Sequence, residues 1–215
     1  MAGDDGIVYV VDDDISVREA LSSLIRSLGL RVETFGSAKG FLQHERADAP
    51  ACLVLDVHLP DGSGLEVSRE LQAMDAPIPI IFITGQGTIP MSVRAMKAGA
   101  LEFLTKPVRD EDLIGAIHVA IERDRATRED RAELADIRRR IETLTPRERD
   151  VLTHVVSGKM NKQIAAELGT AEQTIKQHRG RVMQKLEVDS VAELVRLVER
   201  AAGQPWAPAT LERKS

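Results

Sequence analysis

Apolar residues in the first half of this 215-residue chain fall into short runs, separated by intervals too long for hairpins. The runs are IVYVV (7–11), RVETF (31–35), CLVL (52–55), PIIFIT (79–84) and LEFLT (101–105), each of strand length and mostly β-branched or aromatic. Between them the period changes. Val17, Ala20, Leu21, Leu24, Ile25 and Leu28 recur at three- and four-residue spacing and stop at Gly29, which predicts a helix. Leu65, Val67 and Leu71 suggest another, as do Met91, Val93, Ala95 and Met96, and a further one runs from Asp110 through Leu113, Ile114, Ile117 and Ile121. Strands alternating with helices imply a parallel sheet covered on both faces, because parallel strands need crossovers. The nearly all-apolar IVYVV and PIIFIT fit strands buried on both sides.

Past residue 122 the pattern changes again. Residues 123–143 carry 7 basic and 6 acidic side chains with no Gly or Pro, and apolar support comes only from Leu134, Ile137, Ile141 and Leu144. This reads as a charged helix continuing the preceding one, either solvated or paired with a second copy through its later half. Beyond it, helix ends are well marked. Thr145-Pro146-Arg147-Glu148 supplies an N-cap, a first-turn proline and a capping-box glutamate, and Gly158 ends that helix. Asn161 is expected to cap a short helix ending at Gly169, and Thr170 with Gln173 to box the next, which runs to about Leu186. Ser190 with Glu193 opens a last helix over 191–201. Helix, tight turn and helix around Gly169 make a helix-turn-helix.

Charge sharpens this division. Residues 1–122 hold 10 Lys and Arg against 19 Asp and Glu, whereas the remainder holds 19 against 15. An acidic front and a basic back suggest a cation as partner for one and a polyanion for the other. No apolar run is long enough to span a bilayer, the N-terminus lacks a signal-like pattern, and a single cysteine makes no internal disulfide. A cytoplasmic protein without membrane contact is therefore expected. Aromatics are only 3% of residues, against a stacking platform for single-stranded nucleic acid.

Polar residues gather where such a sheet binds ligands, beyond the carboxyl ends of its strands. Asp12-Asp13-Asp14 follows the first strand, Asp56 the third, Thr84 ends the fourth, and Thr105-Lys106-Pro107 follows the fifth. Each alone has a plain structural role: Asp14 as an N-cap, Asp56 as a turn residue, Lys106 as a solvated lysine. Together they are more. Carboxylates brought to one edge repel, and Asp12, Asp13 and Asp56 would form an incomplete oxygen shell of the kind that holds Mg²⁺ with room for a phosphoryl oxygen. Lys106 and the Thr84 hydroxyl could then serve the other oxygens of a transferred phosphoryl group.

The motifs VVDDD (10–14), LVLDVHLPDGSG (53–64), FITG (82–85) and FLTKP (103–107) resemble those of bacterial receiver domains over residues 6 to about 122. The resemblance implies a flavodoxin-like fold in which Asp56 is the phosphoacceptor, served by a sensor histidine kinase. It further implies Mg²⁺ held by Asp12, Asp13, Asp56 and the His58 backbone carbonyl, Lys106 on the acyl phosphate, and a cis peptide before Pro107. Thr84 and Phe103 would be the switch pair. His58 and Gln86 fall at positions that tune hydrolysis in the family, with His58 expected in solvent. The responding face would carry Val93, Arg94 and Lys97 and form a homodimer on phosphorylation.

The run from Leu144 to Val188 (LTPRERDVL…GKMNKQIAAELGTAEQTIKQHRGRVMQKLEV) resembles the LuxR-type DNA-binding domain, and the whole chain resembles the NarL/FixJ family, nearest its FixJ and StyR branch. Contacts to double-stranded DNA would then involve Lys162, Thr174, Lys176, Gln177, Arg179, Gly180 and Arg181, above a buried stripe of Ile175, Val182 and Leu186. Gly180 departs from the family pattern, so operator specificity does not carry over. The expected architecture is a five-stranded doubly wound receiver (1–122), a charged helical linker (123–143), an all-α four-helix helix-turn-helix domain (144–201) and a mobile tail (202–215), in which Trp206 could dock on the last helix. The function implied is a phosphorylation-dependent transcriptional regulator, not an enzyme beyond its own phosphorylation and slow dephosphorylation. Two rivals remain open: a regulator indifferent to phosphate, and a phosphatase of the haloacid dehalogenase type. The latter wants an acid two residues after its nucleophile, where this chain has His58.

Overall fold

The computed structural model describes residues 6–73, 78–85 and 87–203. In order, the elements are β1 (Ile7–Val11), α1 (Ile15–Ser27), β2 (Arg31–Phe35), α2 (Ala38–Leu42), β3 (Ala51–Asp56), β4 (His58–Leu59), β5 (Gly62–Ser63), α3 (Gly64–Gln72), β6 (Ile80–Thr84), α4 (Ile89–Lys97), β7 (Glu102–Thr105), α5 (Asp110–Glu142), α6 (Pro146–Val156), α7 (Asn161–Leu168), α8 (Glu172–Lys185) and α9 (Val191–Ala202). Contacts divide the chain into two units between Glu129 and Asp130.

In the first unit β2-β1-β3-β6-β7 form one parallel sheet. Alternation along the strands divides its core. Ile7, Tyr9 and Val11 of β1 join Phe41, Val67 and Leu71 on one face, while Val8 and Val10 join Ile25, Leu113 and Ile117 on the other. Every residue of β1, β3 and β6 is buried. Two features carry no periodic signal in the sequence. Short α2 begins at a Ser37 cap, and β4 pairs antiparallel with β5 in a small hairpin directly after Asp56. Asp61, between those strands, accepts from the Ala38 and Lys39 amides at 3.1 and 2.9 Å, tying the hairpin to the first turn of α2. The backbone amides also hold the Asp61 carboxyl below its ordinary range, Lys39 foremost.

The second unit packs α6 to α9 around Leu152, Ile164, Ile175, Val182, Leu186, Leu194 and Val198. The Thr145–Glu148 capping box forms as expected. Two other expected caps do not. Helix α7 begins at Asn161 itself, where the Gln163 side chain accepts from the Met160 amide at 2.9 Å. Helix α8 begins at Glu172 with Ala171 in the cap position, so Thr170 lies one residue too early to serve it. Ser190 caps α9, but Glu193 reaches back to the amide of Asp189 rather than closing a box on Ser190. Of the linker stripe, Ile141 and Leu144 pack into this unit's core and Ile137 is buried. No described helix is long and apolar enough to cross a membrane.

Candidate functional site

The site grows from the carboxyl ends of neighbouring strands. Asp12 follows the last residue of β1, Asp56 is the last residue of β3, Thr84 ends β6 and Lys106 follows β7. One ligand atom from each of Asp12, Asp13 and Asp56 falls within 4.8 Å of the others. Asp12 and Asp56 are buried and Asp13 is exposed. Lys106 bridges the two buried carboxylates, its Nζ lying 2.6 Å from an Oδ2 of each. Their second oxygens accept from the backbone amides of Asp14 and His58, both at 2.9 Å. Asp14 itself caps α1, accepting from the Ser16 amide.

Burial and pairing act in opposite directions on Asp12 and Lys106. Burial pushes the Asp12 carboxyl above its ordinary range, outweighing the opposing Lys106 ammonium. For Lys106, burial favours the neutral amine, yet the hydrogen bonds it donates to Asp12 and Asp56 win and raise its pKa. Two buried carboxylates thus share a single lysine, with the exposed Asp13 carboxylate beside them. The donor set is all oxygen, which suits a hard divalent cation in place of the missing positive charge.

Thr84 is buried, and its Oγ1 lies 3.4 Å from Nδ1 of His58. His58 is exposed as expected, but its ring also reaches the Thr84 hydroxyl. Phe103 is half-buried against the core. Gln86 and Trp206 lie outside the described residues. Packing around Asp56 is tight: a Cβ on Gly64 would come within 2.3 Å of the Asp56 carbonyl oxygen, so only glycine fits where α3 starts. The Lys106–Pro107 peptide is cis.

Sequence reasoning missed two supporting groups, Arg18 and Asp124, and the partner of a third, Glu148. Arg18 donates from Nη1 to the Asp12 and Asp13 carbonyls at 2.6 and 2.9 Å. Buried Asp124 accepts from the Ala51 amide at 2.9 Å and from Arg128 at 2.7 Å, anchoring the start of β3. Buried Glu148 accepts from Lys185 Nζ at 2.6 Å, linking the N-terminus of α6 to the end of α8. Each links residues far apart in sequence or lies within a charged run, so only the DDDISVR pattern offered a hint, for Arg18.

On α8, the side chains of Lys176, Gln177 and Arg181 and the bare backbone of Gly180 are exposed, while Ile175 and Val182 are buried. Thr174 is half-buried. Lys162 is exposed at the second position of α7. Arg179 is half-buried and its Nη1 donates to Asn161 at 3.1 Å, which accounts for the side chain that fails to cap α7. Lys185, engaged with Glu148 and the Thr143 carbonyl, is a structural cation. On α4, Val93, Arg94 and Lys97 are exposed as expected, and Ile89 and Met96 extend the apolar part of that face.

Both regions match known protein families. Residues 8–118 match the response regulator receiver domain, and residues 142–198 match the bacterial regulatory proteins of the luxR family. The chain belongs to the NarL/FixJ family of response regulators. Within the family it is 53% identical to nodulation protein W of Bradyrhizobium diazoefficiens over 193 residues, covering 90% of this chain and 85% of that one. It is 47% identical to response regulator protein TodT of Pseudomonas putida over 194 residues, covering 90% and 86%. Among solved structures, the response regulator StyR superimposes with a TM-score of 0.82 at 49% identity, covering 91% of this chain and 99% of StyR. The chain is accordingly a two-component transcriptional regulator with a flavodoxin-like receiver and a LuxR-type DNA-binding domain.

Proposed function

We propose that Asp56 accepts a phosphoryl group from a phosphohistidine of a sensor histidine kinase, and that the modified receiver dimerises and binds paired DNA half-sites. The observation that carries this reading is the convergence of Asp12, Asp13 and Asp56, two of which, Asp12 and Asp56, are paired with Lys106. An Asp56 carboxylate oxygen attacks phosphorus, a P–O bond forms as the donor's P–N bond breaks, and the imidazole leaves. The Lys106 ammonium, within 2.6 Å of Asp56, then neutralises an oxygen of the acyl phosphate. Asp12, Asp13, Asp56 and the His58 backbone carbonyl would hold Mg²⁺, which when bound supplies charge neutralisation for the phosphoryl oxygens. Hydrolysis of the acyl phosphate resets the protein, and no separate substrate is turned over.

The new negative charge draws the Thr84 hydroxyl from His58 towards the phosphoryl oxygens, and Phe103 follows, biasing a two-state face. On α4 that face presents Val93, Arg94 and Lys97 to a second copy. Doubling the helix-turn-helix supplies affinity that one domain lacks. Lys176, Gln177, Arg181 and the bare backbone of Gly180 face the major groove, where Gln177 can pair with adenine. Lys162 reaches a phosphate, Thr174 lies beside the contact face, and Arg179 reads the groove while held by Asn161.

The test is a sedimentation measurement with beryllofluoride and Mg²⁺. Wild type should shift from monomer to dimer, and Asp56→Asn should not. An unmoved wild type would favour a regulator indifferent to phosphate. Turnover of a generic phosphate ester should stay at background, against a phosphatase.

A further inference from the structure

We infer that Arg18 is a positioning residue that pre-shapes the Asp12–Asp13 loop for its divalent cation, an inference resting on the proposed Mg²⁺ site. The Asp12 carboxylate is tied to Lys106 and the Asp14 amide. The Asp13 carboxylate has no partner among the described residues and is exposed. Its placement therefore depends on its backbone. That backbone is held by Arg18, one nitrogen of which donates to the consecutive carbonyls of Asp12 and Asp13 at 2.6 and 2.9 Å. Both bonds are charge-assisted, and a single nitrogen that spans two carbonyls fixes the peptide plane between the two acids.

Location makes the arrangement unusual. Arg18 sits in the first turn of α1, where the helix dipole disfavours a cation. Its charge also stands near the cation site and by itself repels a divalent ion. Two effects of opposite sign therefore meet. Holding the loop removes the entropy cost of ordering Asp13 on binding, whereas bare charge opposes binding. The direct carbonyl contacts favour the first, since partners that orient a metal's ligands commonly contribute tenfold or more in affinity.

The experiment is calorimetric titration of Mg²⁺ into the full-length protein, metal-free at the start, with wild type, Arg18→Ala, Arg18→Lys and Asp13→Asn. Arg18→Ala should raise the Mg²⁺ dissociation constant about tenfold. Arg18→Lys, which keeps the charge but loses the planar reach, should fall between. Labelling by acetyl phosphate should need correspondingly more Mg²⁺ yet reach a similar rate at saturation, and the Asp14 amide should exchange faster in metal-free Arg18→Ala. An unchanged or tighter constant in a folded Arg18→Ala would overturn the inference, as would a rate that stays low at saturating Mg²⁺. If Arg18→Ala fails to fold, Arg18→Lys decides by the same criteria. No Mg²⁺ uptake by wild type would instead overturn the metal site itself.

Discussion

The receiver cup and the recognition helix use charge in opposite ways. In the cup, Lys106 is drawn inward and bonded at 2.6 Å to each of Asp12 and Asp56, both almost wholly buried. On α8, Lys176, Gln177 and Arg181 point away from the core. Lys185 on the same helix is used internally. A site that performs chemistry on a phosphoryl group needs groups fixed before the reaction, and the cup holds them so. A site that reads a long polyanion needs groups free to meet it, and α8 leaves them in solvent. Position on the sequence does not separate the two kinds of cation; burial and partners do.

The sharpest way to break this contrast is to remove the cation of the cup. Lys106→Met leaves the Asp12 and Asp56 carboxylates facing each other without a counter-charge. Phosphorylation-driven dimerisation should vanish in sedimentation, while DNA affinity of the unmodified protein stays at its wild-type level. The stability cost should be about 2 kcal/mol, tempered because the lysine side chain is 23% exposed. A Lys106→Met protein that still dimerised with beryllofluoride would erase the distinction.

The structural ion pair of the second unit, Lys185 with Glu148, should respond to acid. Burial disfavours ionised Glu148, but the bonds from Lys185 and Thr145 outweigh it and lower its pKa below the ordinary 4.5. A depressed carboxylate contributes stability above its unfolded pKa and loses it as pH falls through the folded value. Thermal melts should therefore show the helical unit weakening below about pH 4.5, with a smaller pH slope in Glu148→Gln. Glu148→Ala should cost about 2 kcal/mol at neutral pH. Equal slopes in both proteins would remove Glu148 from the account.

Smaller effects sharpen the contrast on the DNA face. Lys176→Ala should cost about 1–3 kcal/mol in operator binding and relax specificity at one base pair. Lys162→Ala should weaken binding to all sequences alike and reduce the salt slope by about one. Footprinting and binding isotherms across salt concentrations separate these outcomes. The mildest is Gly180→Ala. An added Cβ meets nothing within 4 Å, so the helix should gain about 0.5–1 kcal/mol in thermal melts.

Much of this was legible in the sequence because the informative features are local. The strand runs and the acids, hydroxyl and lysine at their ends are read directly from IVYVVDDD, LVLD, FITG and FLTKP. The parallel sheet then brings Asp12, Asp56, Thr84 and Lys106 to one edge. What escaped depends on distance in the chain. Asp124 meets Ala51, Asp61 meets Ala38 and Lys39, and Arg179 meets Asn161, pairs that no periodicity announces. The caps of α7 and α8 differ from the expectation because Asn161 and Thr170 carry cap chemistry one residue away from where each helix places its cap. Asn161 is occupied by Arg179 instead, so a tertiary bond overrode a local preference.

The central claim is that Asp56 alone receives the phosphoryl group. Borohydride reduction of acetyl phosphate-treated protein with Mg²⁺, followed by peptide mass spectrometry, marks the modified carboxyl directly. The account predicts the reduced mark on Asp56, lost when Mg²⁺ is chelated. A mark on any other carboxyl, or undiminished labelling of Asp56→Asn, would contradict it.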